Sequence, residues 1–342
     1  GERCAREGIR FLQWFELERV TEGSELDVEH PEWMLYLTDE NGKRDWTRML
    51  NLANEDCLRW AIERVDSLIC QGHVTIYRQD FNIHPPARYW ATGDEPDRAG
   101  TTENHHIQNL LVFWDTLKER HPGLLIDNCS SGGRRNDYEL MRRSVPLHYT
   151  DVGYGVHPEK QQQYRIMHEW IPYFRSLCMN WDKPGGTYGQ WAMPDDPSYF
   201  DRFASYASLA PAIDQKVSPF VTDEEVRTTQ RMLEIWRPAA ELMLRGDYYP
   251  LMESKKRADA WDVRQFDDPE KGDGVIVAIR NVCSEEKSVT VRPHVQPGAR
   301  YELTCMDPEA RRTVAAEEMA AGFALAAPKR GGVVWFYRKI EE

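Results

Sequence analysis

Asp80 and Asp137 close two segments of the same design. The first, Val74-Thr-Ile-Tyr-Arg-Gln-Asp80, is a run of strand length that finishes on a carboxylate. The second opens with the apolar run Leu124–Ile126, in the size range of a buried parallel strand. It then breaks into Asp-Asn-Cys-Ser-Ser-Gly-Gly-Arg-Arg-Asn-Asp137. Gly132 and Gly133 let the backbone turn and approach a ligand with no Cβ in the way. In parallel α/β folds, ligands bind at the carboxyl ends of the strands. Two carboxylates at neighbouring strand ends suit displacement at an anomeric carbon with retention. One attacks, and the other protonates the leaving oxygen and then activates water, at a separation of about 5–5.5 Å. One must stay ionised while the other holds a proton. Arg78 favours the charged form of Asp80. Arg134 and Arg135 would oppose protonation of Asp137 if both pointed inward, so at least one is expected to point away.

Positioning such a pair takes strands in parallel, and the chain supplies them. From Ile9 to about residue 245, strand-like runs alternate with helical patterns. Ile9–Phe15 reads as a strand, followed by a loop with Glu16, Glu18 and Arg19. A helix begins after Asn54, a fitting N-cap, with Glu55 and Asp56 in its first turn and Leu58, Ala61, Ile62, Val65, Leu68 and Ile69 inward. Gly72 is expected to stop it. A second helix runs from about Glu103 to Arg120, with Ile107, Leu110, Leu111, Trp114 and Leu117 inward. Val145–Asp151, Trp170–Asn180 and Tyr206–Asp214 are further strand candidates, and Glu224–Leu244 a last helix. After Asp247 the pattern changes to short alternating runs, Ala260–Phe266, Gly274–Asn281, Ser288–Pro293, Arg300–Met306 and Gly332–Tyr337, which read as a small antiparallel β-sandwich. The expected domains are therefore 1–246 and 247–342.

Composition narrows the partners. A net charge of -13 argues against nucleic acid and anionic membranes, and no apolar run approaches the ~20 residues of a membrane span. Seven scattered cysteines without a CxxC pair suggest free thiols rather than a zinc or disulfide framework, and a cytoplasmic setting is favoured. Twelve Trp and fifteen Tyr fit core packing, and also sugar clefts, where rings stack on pyranose C–H faces. His105-His106 point to opposite parts of a helix surface, so solvent or capping roles are expected rather than metal ligation. No His is placed to activate Cys129, and Ser130-Ser131-Gly132 lacks the spacing of a nucleophile elbow.

Trp14-Phe-Glu-Leu-Glu18, His30-Pro-Glu-Trp33, Met49-Leu-Asn-Leu-Ala-Asn-Glu55, Tyr77-Arg-Gln-Asp-Phe-Asn82 and Asn128-Cys-Ser-Ser-Gly-Gly-Arg-Arg-Asn-Asp137 occur in that order. Together they resemble the melibiase-type α-galactosidases, glycoside hydrolase family 36. Matching segments there are a WFEPE-like turn, an HPDW segment, an LDL-x-NPE helix start, a KWDMNR nucleophile strand and a C-x-x-GG-x-R-x-D loop. The resemblance implies a TIM-type (β/α)8 barrel with a C-terminal β-domain, acting on an α-galactoside oligosaccharide or glycoconjugate without metal or organic cofactor. It makes Asp80 the nucleophile and Asp137 the general acid/base. It puts Trp14, Arg78, Cys129 and Gly132 at the sugar, Asn82 and Asp151 in support, and Glu16 and Arg135 as positioning groups.

The chain departs from that pattern in several places. Gln79 stands for the Trp before the nucleophile, Leu17 for a Pro, Asn51 for an Asp, and Arg78 for a Lys whose point charge a flat guanidinium does not reproduce. An Asp-Asp-Gly-Trp strand end expected upstream of Ile9 has no counterpart. The expectation is thus an incomplete barrel lacking its first two strands, with about six of eight, and impaired activity for the chain alone. Homo-oligomers are possible for a full-length protein. The rival readings are an α-N-acetylgalactosaminidase and a non-catalytic carbohydrate-binding chain on the same fold.

Overall fold

The computed structural model describes residues 1–145, 158–171, 174–179, 206–215, 222–253, 257–306 and 308–340. The chain forms two compact units, Gly1–Asp151 and Val152–Glu342.

In the first unit, helix α1 (Glu2–Arg6) precedes β1 (Leu12–Phe15). The segment that follows folds into a small antiparallel sheet, β2 (Arg19–Thr21), β3 (Met34–Leu35) and β4 (Thr47–Leu50), with β4 central and helix α2 (Glu25–Glu29) between β2 and β3. Helix α3 (Glu55–Gly72), β5 (Ile76–Gln79), α4 (Pro86–Ala91), α5 (Thr101–Arg120), β6 (Leu125–Asn128) and the short α6 (Tyr138–Met141) complete it. Strands β1, β5 and β6 form one parallel sheet with β5 in the middle. Their last residues, Phe15, Gln79 and Asn128, stand in one register row, so Glu16, Asp80 and Cys129 leave the sheet at the same level. One face, through Phe15, Tyr77 and Ile126, packs into the core made by α3 and α5 with Ile62, Val65, Ile69, Leu110, Phe113, Trp114 and Leu117. The other carries Trp14, Arg78 and Asp127 in a row across the three strands.

Helix α3 forms where its sequence asks it to. Asn54 Oδ1 accepts from Asp56 N–H at 2.9 Å and Cys57 N–H at 3.0 Å, satisfying two donors that the helix cannot pair internally. Of its expected inward face, Leu58, Ala61, Ile62, Val65 and Ile69 are buried and Leu68 is half-buried. The helix continues through Gly72, and the left-handed cap falls on His73 (φ 49°) instead. Asn54→Ala removes both capping bonds and is expected to cost about 1 kcal/mol of stability, read as a lower urea midpoint with unchanged slope.

The second unit contains helix α7 (Pro158–Trp170), a parallel pair β7 (Arg175–Met179) and β8 (Ala212–Gln215), and helix α8 (Asp223–Arg245). Then come β9 (Asp247–Pro250), β10 (Trp261–Asp268), β11 (Asp273–Arg280), β12 (Ser288–Val291), β13 (Arg300–Met306), β14 (Glu309–Ala315), α9 (Ala316–Ala321), β15 (Phe323–Ala326) and β16 (Gly331–Ile340). Six strands pair antiparallel in the order β14-β13-β16-β11-β10-β9, and β12 pairs with β15. One face of the large sheet packs Phe266, Val275, Val277 and Ile279 on Ile235, Ala239, Leu242 and Met243 of α8. The opposite face shares a core with β12, β15 and α9 through Val263, Ile276, Leu303, Val289, Leu325 and Met319. The alternating runs after Asp247 are strands as expected. β14, β15 and α9 are additional, and β14 is an edge strand whose Glu309, Arg311 and Arg312 gave no clear alternation of burial.

Candidate active site at the ends of three parallel strands

Asp80 leaves β5 half-buried and collects donors from three directions. Its Oδ1 accepts from the backbone N–H of Phe81 at 2.8 Å and of Ser131 at 2.8 Å. Its Oδ2 accepts from the Trp14 indole Nε1–H at 3.2 Å. Burial pushes the carboxyl pKa up, but the N–H groups of Ser131 and Phe81, with the Asn82 side chain and Trp14, more than offset it and hold the group below the usual aspartate range. Asp80 is therefore a carboxylate at neutral pH. The Trp14 ring remains 46% exposed, an indole edge tied to the acid and a face left for an apolar surface.

The Ser131 donor reaches Asp80 because the loop after β6 is bent into an uncommon shape. Ser130, Ser131, Gly132 and Gly133 all have positive φ, at 48°, 54°, 76° and 96°. Glycine accepts this freely, whereas each serine there costs on the order of 1 kcal/mol or more. The surrounding bonds hold it. Asn128 Nδ2 donates to the Arg135 carbonyl at 2.6 Å, and Ser130 Oγ donates to Asn128 Oδ1 at 2.9 Å. Arg134 donates to the carbonyls of Phe81 at 2.5 Å and Ile83 at 3.2 Å, so it fastens the loop to the segment beyond β5. His84 lies alongside, with Nε2 3.4 Å from Ser131 Oγ and Nδ1 3.3 Å from Arg134.

Beneath this lies a buried charge cluster centred on Glu18, which is 0% exposed. Arg135 grips both of its oxygens, Nη1 to Oε2 at 2.7 Å and Nη2 to Oε1 at 2.8 Å. His106 Nε2 donates to Oε1 at 2.7 Å, and Gln79 Nε2 to Oε2 at 2.8 Å. The His106 tautomer follows from its other nitrogen, since Nδ1 accepts from Leu52 N–H at 3.2 Å. Gln79 Oε1 accepts from Trp114 Nε1–H at 2.7 Å and Tyr77 O–H at 3.1 Å. Burial alone would raise the Glu18 carboxyl; Arg135 and His106 outweigh it and hold it well below the usual range. The Arg135 guanidinium also stacks over Phe81 at 3.8 Å.

The remaining expected residues fall around this centre. Glu16 accepts from the Asn82 backbone N–H at 2.9 Å and pairs with Arg19. Arg78 donates to Asp127 Oδ2 at 2.6 Å, neighbouring strand ends on the same sheet face as Trp14. Cys129 is buried, and Gly132 forms the tip of the bent loop. Asp137 is exposed and caps α6, its Oδ1 accepting from Glu139 N–H at 3.0 Å and Leu140 N–H at 3.1 Å. No bond links Asp137 to Asp80 among the described residues. Asp151, with the strand expected over Val145–Asp151, lies outside the described residues, although Val145 N–H still donates to Ile126 O at 2.7 Å. Of the two arginines expected to diverge, Arg135 is committed to Glu18 and Arg134 to backbone carbonyls. His106 departs from its expected solvent or capping place, being 0% exposed on Glu18, because the helix face it shares with Leu110 and Phe113 is the inner one.

Three contributors were not singled out in the sequence. Glu18 lies beside Arg19 and two residues from Glu16, and looks solvated there. Gln79 counted only as a departure. Asp127 is 0% exposed, and its Oδ1 has no hydrogen-bond partner among the described residues. A carboxylate directly after the apolar run Leu124–Ile126, still within strand length, was the available signal.

Three parallel strands that lead into Glu16, Asp80 and Cys129, in a chain that also carries an antiparallel β-sheet unit, define an α/β architecture with an added β-domain. Residues 1–164 match the family model described as Melibiase. In sequence the chain is 28% identical over 135 residues to the alpha-galactosidase AgaA of Geobacillus stearothermophilus, which is 39% of this chain and 18% of that protein. It is 28% identical over 151 residues to alpha-galactosidase C of Emericella nidulans, 44% of this chain and 19% of that protein. In fold it is similar to a GH36 alpha-galactosidase AgaA variant from Geobacillus stearothermophilus, with a TM-score of 0.80 at 17% identity over 99% of this chain and 46% of that one. An alpha-galactosidase from Lactobacillus brevis gives 0.80 at 14% identity over 100% and 46%. The chain thus spans less than half the length of these solved structures.

Proposed function

We propose that this chain carries both carboxylates of a retaining α-galactosidase site, Asp80 as nucleophile and Asp137 as general acid/base. The supporting observation is Asp80: a carboxylate at a parallel strand end, kept ionised by several donors, beside an exposed tryptophan ring. In the first step, a carboxylate oxygen of Asp80 attacks the anomeric carbon of an α-galactoside. The bond to the leaving oxygen breaks, and Asp137 supplies the proton to that oxygen. In the second, Asp137 takes a proton from water, the water oxygen attacks the same carbon, and the ester to Asp80 opens with net retention. Trp14 presents its ring to the sugar's C–H face. Arg78, held by the buried Asp127, offers a donor to hydroxyls. Arg135, Glu16 and Asn82 hold the surrounding backbone, Cys129 and Gly132 border the ring, and Asp151 keeps the supporting role the resemblance gives it.

The substrate class rests on the relatives. AgaA variants have been solved with raffinose and with stachyose, both oligosaccharides. The barrel reading of the parallel strands and the division at 246/247 are part of the same proposal, as are the cytoplasmic setting and any homo-oligomer. Trapping tests the assignment: an activated fluorogalactoside that accumulates a glycosyl-enzyme should label the peptide containing Asp80, and label on another carboxylate would refute it. A higher kcat/KM for an aryl α-N-acetylgalactosaminide than for the α-galactoside would instead select the N-acetyl rival.

One observation favours the non-catalytic alternative. Asp137 is occupied as a helix cap, with no bond to Asp80. Sugar binding without turnover by the full-length protein would establish that reading.

Two further outcomes follow from the site. Trp14→Phe keeps a ring but deletes the donor to Asp80. kcat/KM should fall by about 10- to 150-fold, the ~1.5–3 kcal/mol of one hydrogen bond to a charged group, with the loss in kcat as well as in KM. Because the Asp80 carboxyl is held down, the acid limb of kcat/KM should lie below the ordinary aspartate value of about 3.9. A limb at pH 5 or above, set by this residue, would contradict the geometry.

A further inference from the structure

Away from the strand ends, the C-terminal parts of α3 and α5 bring three chemically different ligand groups together. Asp66 and Cys70 are one turn apart on α3, and so share a face. His121 is the residue that caps α5. One donor atom from each, a carboxylate oxygen, the thiol sulfur and an imidazole nitrogen, lie within 4.8 Å of one another. Cys70 is exposed and the other two are half-buried, so solvent ions have access. We propose that Asp66, Cys70 and His121 form a divalent-metal site of the zinc class, distinct from the proposed active site.

The donor set decides the metal class. Thiolate with imidazole and carboxylate suits a borderline ion in a tetrahedron and disfavours magnesium and calcium, which take oxygen ligands. A solvent molecule completes the coordination. His121 Nε2 now donates to Asp66 Oδ1 at 2.6 Å. Two ligands about 2.0–2.1 Å from a tetrahedral zinc stand about 3.3 Å apart, so this pair must open by about 0.7 Å. The other oxygen, Asp66 Oδ2, is engaged by Arg120 Nη1 at 3.3 Å, and Arg120 Nη2 is anchored to Glu63 at 2.7 Å. Asp66 is thus oriented from behind, as ligating carboxylates are, with Oδ1 turned to the site. On binding, the neutral His121 ring offers Nε2 with its proton moved to Nδ1, and the Cys70 thiol proton is released to solvent. A hydrogen-bonded Asp66–His121 pair explains one contact without an ion; it gives no reason for a thiol at the same point.

The test uses the purified 342-residue chain, stripped with chelator and titrated with Co2+ as the probe. One equivalent should bind with thiolate-to-cobalt charge-transfer absorption and tetrahedral d–d bands, and Zn2+ should displace it one for one. Cys70→Ser, at an exposed position, should abolish the charge-transfer band. His121→Gln and Asp66→Asn should each weaken Zn2+ binding by at least about tenfold. Absence of a saturable one-equivalent site overturns the proposal, as does a charge-transfer band that survives Cys70→Ser and so belongs to another cysteine. Circular dichroism of each variant excludes misfolding, and Asp66→Asn provides an independent reading should Cys70→Ser fail to fold. None of these readouts depends on glycosidase activity.

Discussion

Asp80→Asn is expected to lower α-galactoside turnover by the full-length protein by about 10⁴-fold or more, the scale seen when a nucleophile is removed, while folding is nearly preserved. The two side chains have the same shape, and the carbonyl oxygen of the introduced amide accepts the N–H groups of Phe81 and Ser131 in place of Oδ1. The amide nitrogen then faces the Trp14 indole donor, so that one bond is lost, a cost of about 1 kcal/mol. A large loss of rate with a small loss of stability is the signature of a group acting on the substrate. Azide sharpens the test. If Asp80 is the nucleophile, azide enters from the vacated face and an α-galactoside yields β-galactosyl azide with partial recovery of rate. If Asp80 were the proton donor, azide would open the intermediate from the other side and give the α product. Turnover unchanged in Asp80→Asn, or an α-azide product, would end the nucleophile assignment. For Asp137→Asn the outcomes reverse, and an activated aryl leaving group, which needs little protonation, should suffer less than a poor one.

How far the sequence discloses all this depends on the range over which each signal acts. Helix α3 is legible because its cap, its apolar spacing and its acidic first turn are local and agree. The three parallel strands are legible as apolar runs that end in polar loops, although their hydrogen-bonded parts are shorter than the runs suggest: Leu12–Phe15 rather than Ile9–Phe15. The sheet of β2, β3 and β4 is not legible, since its strands span two to four residues and no period can be read from so few. Asp80 and Trp14 could be named from motif and position. That they touch is a matter of register, Trp14 opposite Arg78, which places the indole two residues before the acid on the adjacent strand. Ser131 could not be foreseen as a donor, because its usefulness comes from a left-handed backbone that sequence disfavours for serine. The Glu18 cluster is the hardest case. Glu18, Gln79, His106 and Arg135 are far apart in the chain, each looks solvated among its neighbours, and only the fold desolvates them together.

That cluster carries the largest effect expected on stability. Glu18→Gln should destabilise the first unit by about 3–5 kcal/mol, because Arg135 keeps its charge in a buried place with no counter-charge. The glutamine can still accept one bond through its oxygen, but its NH2 now meets donors from Arg135 or Gln79. For a unit of this size the melting temperature should drop by on the order of 10 °C. The same residue sets a pH dependence. The folded Glu18 carboxyl binds its proton more weakly than the unfolded one, since Arg135 and His106 outweigh the effect of burial. Its stabilisation is therefore complete above the ordinary glutamate value of about 4.3 and is lost as pH falls from there through the folded value. Wild type and Glu18→Gln, unfolded in urea across that window, should differ most at neutral pH and converge in acid. A gap that stays constant with pH, or a variant within about 1 kcal/mol of wild type at neutral pH, would show that the carboxylate charge is not what holds Arg135. Replacing both partners, Glu18→Leu with Arg135→Met, removes the unpaired charge and should recover much of the lost stability. Turnover should not recover with it, because the Arg135 guanidinium, which ties the loop that delivers the Ser131 N–H to Asp80 onto Glu18, is gone.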